Sequence, residues 1–242
     1  MRVRLGIVYP GGGAEQEYYQ FADRLPGLSI YLVFSRRAGA GGHSHSPVAL
    51  RKTARVANLV EAAQRLAMLR TDAVMWACTS GSFIVGRVGA ERQVRAIRRI
   101  VGAPTGSTSL AFVSALRHMR LRRVAIAATY PPSAAGAFAR FLRQFRIEVC
   151  AVRSLGLPDG LLSSQLSPGQ VVRFARAADA RDAEALLVPD TALPSLGVIE
   201  QLEKLVGKPV LGANHVTLWE GLRLAGVRPA LKGLGRLFAP RD

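Results

Sequence analysis

Two residues of this 242-residue chain stand out for the chemistry they could perform, Cys78 and Asp190. Cys78 is followed by Thr79, Ser80, Gly81 and Ser82, small residues that can open a helix and turn free backbone N–H groups toward an anion. The start of a helix also lowers a thiol's pKa and raises its thiolate fraction. Cys78 is therefore a candidate nucleophile or acid–base group. The competing reading is an inert, packed core cysteine, and that is the reading for Cys150, which lies in the run 147–152 with no hydroxyls after it. Asp190 closes the run Leu186-Leu187-Val188-Pro189; it reads either as a catalytic or substrate-positioning carboxylate or as a turn or capping aspartate. Tyr130 could give its hydroxyl to a substrate carboxylate or pack at a domain edge. The four histidines form no triad: His43 and His45 fall in a glycine-rich loop, His118 in a basic helix end and His215 at a helix start. Only His215 is kept, as a minor cleft candidate.

Residues of this kind need strand ends to hold them. Short apolar runs at 4–10, 29–34, 72–78, 123–130, 148–152, 185–189 and 209–214 alternate with helical patterns, the signature of βα units and a mainly parallel sheet. Ligands of such sheets sit beyond the carboxyl ends of the strands, where Cys78, Tyr130 and Asp190 are all predicted. Helices are expected at 15–24, 52–70, 91–101, 109–119, 133–144, 167–180, 195–206 and 215–225. Within 52–70, Ala54, Ala57, Leu59, Ala63, Leu66 and Ala67 recur at near-helical spacing and make one apolar face. Ser167-Pro168 supplies an N-cap and a first-turn proline. The glycine-rich loop 36–47 reads as a surface loop, with a substrate-covering lid as the alternative.

An internal repeat organises these elements. Tyr9-Pro10 and Tyr130-Pro131 end corresponding strands 121 residues apart, and Cys78 and Asp190 are 112 residues apart, each close to half the chain. The repeat predicts an α/β protein of two pseudo-symmetric halves, each a mainly parallel sheet flanked by helices. Residues 1–108 with 215–242 form the first half and 109–214 the second, with Cys78 and Asp190 on opposite walls of the cleft between them.

Composition narrows the partners. Lysine and arginine total 33 against 16 acidic residues, a formal charge of +17, and such a surface attracts phosphate. Only Lys52, Lys204, Lys208 and Lys232 are lysines, however, and the arginines are scattered along helices without interleaved aromatic residues to stack bases. The charge reads as a solvated face that draws in anionic substrates rather than nucleic acid. No apolar run approaches the ~18 residues of a membrane span, and the N-terminal stretch is too short for a signal peptide; no membrane partner and a cytoplasmic location are expected. Two distant cysteines suggest neither a disulfide framework nor a zinc site. With no dinucleotide fingerprint or phosphate loop, no cofactor and no metal are expected.

Several segments carry a family resemblance: Gly6-Ile7-Val8-Tyr9-Pro10, Ala77-Cys78-Thr79-Ser80-Gly81-Ser82-Phe83, the run from Arg122 to Tyr130, Trp219-Glu220-Gly221-Leu222, and Gly235-Arg236-Leu237-Phe238. Over nearly its whole length the chain resembles the maleate cis-trans isomerase and arylmalonate decarboxylase branch of the aspartate/glutamate racemase superfamily. The resemblance implies two Rossmann-like domains with the substrate between them, cofactor-independent chemistry, a homodimer or higher homo-oligomer, and cysteines on both walls of the cleft. It implies that Cys78 is the first-domain catalytic thiol, that Thr79, Ser80 and Tyr130 hold a substrate carboxylate, and that Pro10 lies against the substrate. Asp190 stands where the family's second cysteine would fall, with Thr191 beside it as a substrate contact. The first expectation is an isomerase of a small unsaturated dicarboxylate working through a Cys78 thiolate. The alternatives are an arylmalonate-type decarboxylase, a racemase of an amino acid or hydantoin, and a non-catalytic carboxylate-binding protein.

Overall fold

The computed structural model describes residues 2–35, 44–228 and 230–240. The first half alternates strands β1 (Val3–Tyr9), β2 (Leu28–Phe34), β3 (Ala73–Trp76) and β4 (Thr105–Ser107) with helices α1 (Gln16–Asp23), α2 (Pro47–Thr53), α3 (Val56–Ala67), α4 (Thr79–Phe83) and α5 (Gly86–Val101). Helix α6 (Thr108–His118) leads to the second half. There β5 (Arg123–Ala128), β6 (Glu148–Ser154), β7 (Ala185–Val188) and β8 (Val210–Gly212) alternate with α7 (Pro132–Arg143), α8 (Gly160–Ser164), α9 (Pro168–Arg176) and α10 (Ile199–Val206), before α11 (Ala213–Leu224). Each sheet has four parallel strands, ordered β2-β1-β3-β4 and β6-β5-β7-β8. The same order twice is the paired architecture that the repeat predicts. No helix among the described residues is long and apolar enough to cross a membrane.

Strand alternation places the core. Leu5 and Ile7 of β1, Met75 of β3, Ile126 of β5 and Leu187 of β7 point into one apolar cluster shared by both sheets. Their neighbours Val8, Val74 and Trp76 point the other way, onto Leu59, Ala63 and Leu66 of α3. In the second sheet Ala125, Leu186 and Val188 turn outward onto Val171 of α9 and Leu202 of α10. Between the halves, α11 packs along α6 and onto β3 and β4. The expected cap of α9 is present as a full capping box, Ser167 bonding to Gln170 N–H while the Gln170 side chain returns to Ser167 N–H.

Two expectations change. The single helix at 52–70 is two, α2 and α3, broken where Arg55 takes an extended conformation. The break is held from outside: Gln93 of α5 donates to Ala54 O (2.8 Å) and Asn58 to Lys52 O (3.1 Å), satisfying carbonyls that a continuous helix would have used. Strand β4 carries no apolar run, being Thr-Gly-Ser, and pairs with β3 because it is buried under its neighbours rather than because of its own composition. Of the loop 36–47, residues 36–43 lie outside the described residues. Ser44 forms an antiparallel bridge with Asp159, and Pro47 already opens α2.

His215 is not a cleft residue. It is fully buried in α11, where Nε2 donates to Leu234 O (2.8 Å) and the ring packs on Phe238 at 5.2 Å. It fastens the C-terminal segment to the first half. Burial pushes its imidazole down to about 4, below the ~6.5 of an unfolded chain. The unfolded chain therefore binds the proton first, so stability is full above ~6.5 and is lost as pH falls toward 4, by about 3 kcal/mol in all. A His215→Gln chain lacks that loss. The gap between its denaturation midpoint and that of the wild type should narrow on going from neutral pH to pH 4; a constant gap would contradict the buried, neutral imidazole.

Candidate active site

Cys78 lies two residues beyond the end of β3, and Asp190 two residues beyond the end of the corresponding strand β7. Matched strands in the two halves thus carry the thiol and the carboxylate to the two sides of one small cavity of about 40 Å3. Cys78 is the N-cap of α4, and its Sγ accepts a hydrogen bond from Gly81 N–H at 3.2 Å, with Ser80 Oγ 3.7 Å away. Gly81 has to be a glycine here, because a Cβ would stand 2.9 Å from the Trp76 ring and 3.0 Å from Sγ. The hydroxyls after it divide their work. Ser82 bridges the carbonyls of Cys78 and Thr79 and, with Ser109, ties α4 to α6, while Ser80 reaches the cavity wall.

The thiol differs from the sequence expectation. Cys78 is only 4% exposed, and burial pushes its pKa up to about 11 against the pull of Gly81 N–H and the Ser80 hydroxyl, with Asp190 adding to the rise. Desolvation of the anion outweighs one amide and one hydroxyl at the end of a five-residue helix. The resting group is a thiol rather than a thiolate.

Across the cavity, both Asp190 oxygens accept hydrogen bonds, Oδ2 from the Thr129 hydroxyl and Oδ1 from Ala192 N–H at 2.9 Å. Pro10 and Thr191 complete the group that the sequence singled out on the walls, with Cys78, Ser80 and Asp190. Thr79 and Tyr130 stand behind the walls. The Thr79 hydroxyl is buried, and the Tyr130 hydroxyl donates to Pro189 O, bracing the residue before Asp190. Among the described residues no three His, Cys, Asp or Glu side chains gather closely enough to hold a metal ion.

Residues 47–238 of this chain match the arylmalonate decarboxylase family. The chain belongs to that family. It is similar to an arylmalonate decarboxylase from Bordetella bronchiseptica, 30% identical over 186 residues, 76% of this chain and 78% of the other. A maleate isomerase from Nocardia farcinica is 26% identical over 244 residues, 97% of this chain and 95% of its own. The solved structure of a cysteine-to-serine mutant of the Nocardia farcinica maleate cis-trans isomerase, with a covalently bound succinylcysteine intermediate, superimposes with a TM-score of 0.90 at 24% identity and covers 100% of both chains. That likeness speaks for the shared two-sheet fold. As a member of the arylmalonate decarboxylase family, in the branch it shares with the maleate isomerases, the chain is an enzyme.

The site of this family member also contains residues that sequence reasoning passed over. Tyr9, which ends β1, lines the cavity and donates to Thr191 O at 3.2 Å; the repeat marked it as a strand end only. His45 lines the cavity too, from a loop whose composition gave no sign of it. Behind Thr191, a buried cluster joins the halves. Asn214 Nδ2 donates to Thr191 O (3.2 Å) and Glu17 Oε2 (2.7 Å), Tyr18 donates to Asn214 Oδ1 (2.7 Å), and Leu196 N–H donates to Glu17 Oε1 (2.6 Å). Burial raises the Glu17 carboxyl to about 7 despite those donors. Its contribution to stability is thus opposite in sign to that of His215, present at acid pH and lost as pH rises toward 7.

Proposed function

We propose that this enzyme is a cofactor-independent isomerase that interconverts the cis and trans forms of a small unsaturated dicarboxylate of the maleate type, with Cys78 adding to the double bond. The observation that carries the proposal is the pairing of one thiol and one carboxylate on the walls of a single cavity of about 40 Å3. That volume is far below the ~300 Å3 and more of drug-sized sites, which argues against a large ligand. Ser80, Thr191 and Pro10 are proposed as substrate contacts, and Thr79 and Tyr130 as the residues that set the two walls.

The raised thiol pKa orders the steps. The Cys78 proton leaves for the Asp190 carboxylate as the S–C bond forms, and the alkene electrons move onto the neighbouring substrate carboxylate. The amides of Thr79 and Ser80, at the first positions of α4, have no carbonyl partner within the helix and can stabilise that charge. The former double bond is now single and rotates; collapse of the enediolate restores it, breaks the S–C bond and returns the proton to sulfur. Support comes from the Nocardia farcinica relative, in which one cysteine is replaced by serine and a cysteine still carries the covalent adduct. A single thiol is also what this chain brings to its cavity.

A second reading is decarboxylation of a substituted malonate, favoured by the 30% identical relative and by a thiol that is protonated at neutral pH. The bond to the departing carbon dioxide would break, and Cys78 would protonate the resulting enediolate. Proton NMR in deuterated buffer separates the two. Fumarate formed from maleate by the wild type and not by Cys78→Ala supports the isomerase. No change in maleate, with a deuterated monoacid formed from phenylmalonate, replaces it with the decarboxylase.

A further inference from the structure

A dicarboxylate admitted to this cavity meets a third carboxylate, Asp190, and among the described residues finds no arginine or lysine. Among the described residues, none of the chain's Lys or Arg side chains lines the walls. Among the described wall residues, the side chain able to carry positive charge is that of His45.

Its orientation is fixed on three sides. The backbone N–H of His45 donates to Pro158 O (2.7 Å), Ser44 beside it bridges to Asp159, and the ring stands edge-on to Tyr130 with centroids 4.7 Å apart and planes at 85°. Ring Nδ1 lies 3.0 Å from Leu157 O. A carbonyl only accepts, so Nδ1 carries a hydrogen in both charge states, and Nε2 is the nitrogen that gains and loses a proton. Gly160 stands beside Nε2 on the cavity wall. A Cβ on Gly160 would stand 3.9 Å from Nε2, 3.1 Å from the Ala192 Cβ and 3.8 Å from Gly12 O.

The titratable groups around the ring are Tyr130 at its edge, Asp159 beside Ser44, Tyr9, Cys78 and Asp190 on the cavity walls, and Glu15 beneath the Gly12–Gly13 turn. Each acid already has its own donors: Asp159 caps Leu162 N–H (3.0 Å), Glu15 accepts from Gly12 and Gly13 N–H (2.6 and 3.0 Å), and Asp190 is held by Thr129 and Ala192. None of them forms an ion pair with His45 among the described residues.

We propose that His45 is the cationic anchor of the site, its protonated Nε2 donating to one carboxylate of a bound dicarboxylate, so that binding takes up a proton. This rests on the reading that the cavity takes a small dicarboxylate and not on which reaction follows. Burying a carboxylate beside Asp190 is costly unless a partner neutralises it, and this imidazole is the group placed to do so.

Calorimetric titration of the full chain with succinate, which has no double bond to isomerise, tests the proposal. Measured in two buffers of different ionisation heat, binding should show net proton uptake, and the affinity should weaken by up to about tenfold per pH unit as pH rises through the imidazole titration. His45→Gln keeps an N–H donor but not the titration; it should bind with no proton uptake and a flat pH profile. Uptake that survives in His45→Gln, a wild-type affinity independent of pH, or a folded wild type that does not bind succinate would each overturn the proposal. Should the variant fail to fold, the wild-type proton count decides alone, and zero uptake rejects the anchor. Maleate turnover measured in parallel keeps the two ideas apart. Turnover without proton-linked binding removes the anchor and leaves the isomerase, and proton-linked binding lost with His45 but without turnover does the reverse.

Discussion

A Cys78→Ser chain should fold normally and turn its dicarboxylate over about a thousandfold more slowly than the wild type. Serine preserves the local structure for a specific reason. Position 78 is the N-cap of α4 and already accepts from Gly81 N–H, and a serine hydroxyl is among the best groups for that task. What serine cannot do is replace the sulfur: its hydroxyl is a far weaker acid and a poorer nucleophile and leaving group, whichever chemistry operates. Unchanged melting with collapsed turnover would place Cys78 at the reacting atoms, whereas activity within tenfold of wild type would remove it from them. The resting enzyme should also label contrary to the sequence reading. Iodoacetamide near neutral pH should modify half-buried Cys150 before Cys78, because the latter is 4% exposed and its thiol is pushed up to about 11. Peptide mass spectrometry over time reads the order directly.

The second large effect is structural. Phe138 of α7 is fully buried, with the rings of Phe83 from α4 and Phe112 from α6 each at 5.4 Å and Phe141 stacked at 6.5 Å. With Tyr130, whose ring lies 5.7 Å from that of Phe83, it makes the aromatic contact between the helix that Cys78 caps and the second half. Phe138→Ala should cost about 3–5 kcal/mol, the lost transfer energy plus a cavity that three converging helices cannot close. Against a total stability of roughly 5–15 kcal/mol that is a severe loss, seen as a large fall in the urea midpoint. Phe145, half-buried two residues beyond the end of the same helix under the guanidiniums of Arg87 and Arg117, is the control, and its replacement should shift the midpoint much less. Equal shifts would mean that the aromatic cluster does not hold the halves together.

What the sequence made legible follows from how each signal arises. The strands that it revealed, 4–10 and 185–189 among them, are buried on both faces and so read as unbroken apolar runs. Strand β4 was hidden because Thr-Gly-Ser has no such run, and the break between α2 and α3 because Gln93, from another helix, holds it open. At the site, Cys78 and Asp190 could be paired by the repeat, since symmetry is a one-dimensional signal. The state of the thiol could not be read that way. A helix start favours the anion and burial opposes it, and only packing decides between them. His45 and Glu17 escaped for the same reason: one belongs to a polar loop and the other to an ordinary amphipathic helix until the opposite half folds against them.

The apolar cluster that runs from Leu5 and Ile7 through Phe138 to Leu187 belongs to neither half alone. Helix α11 follows the last strand of the second sheet and lies against the first, so each half is completed by residues from the other. Cooperativity is the consequence. Neither sheet retains a closed interior once its partner has melted, so no half-folded form with one intact domain is favoured, and the chain gains and loses the cavity between Cys78 and Asp190 in one step.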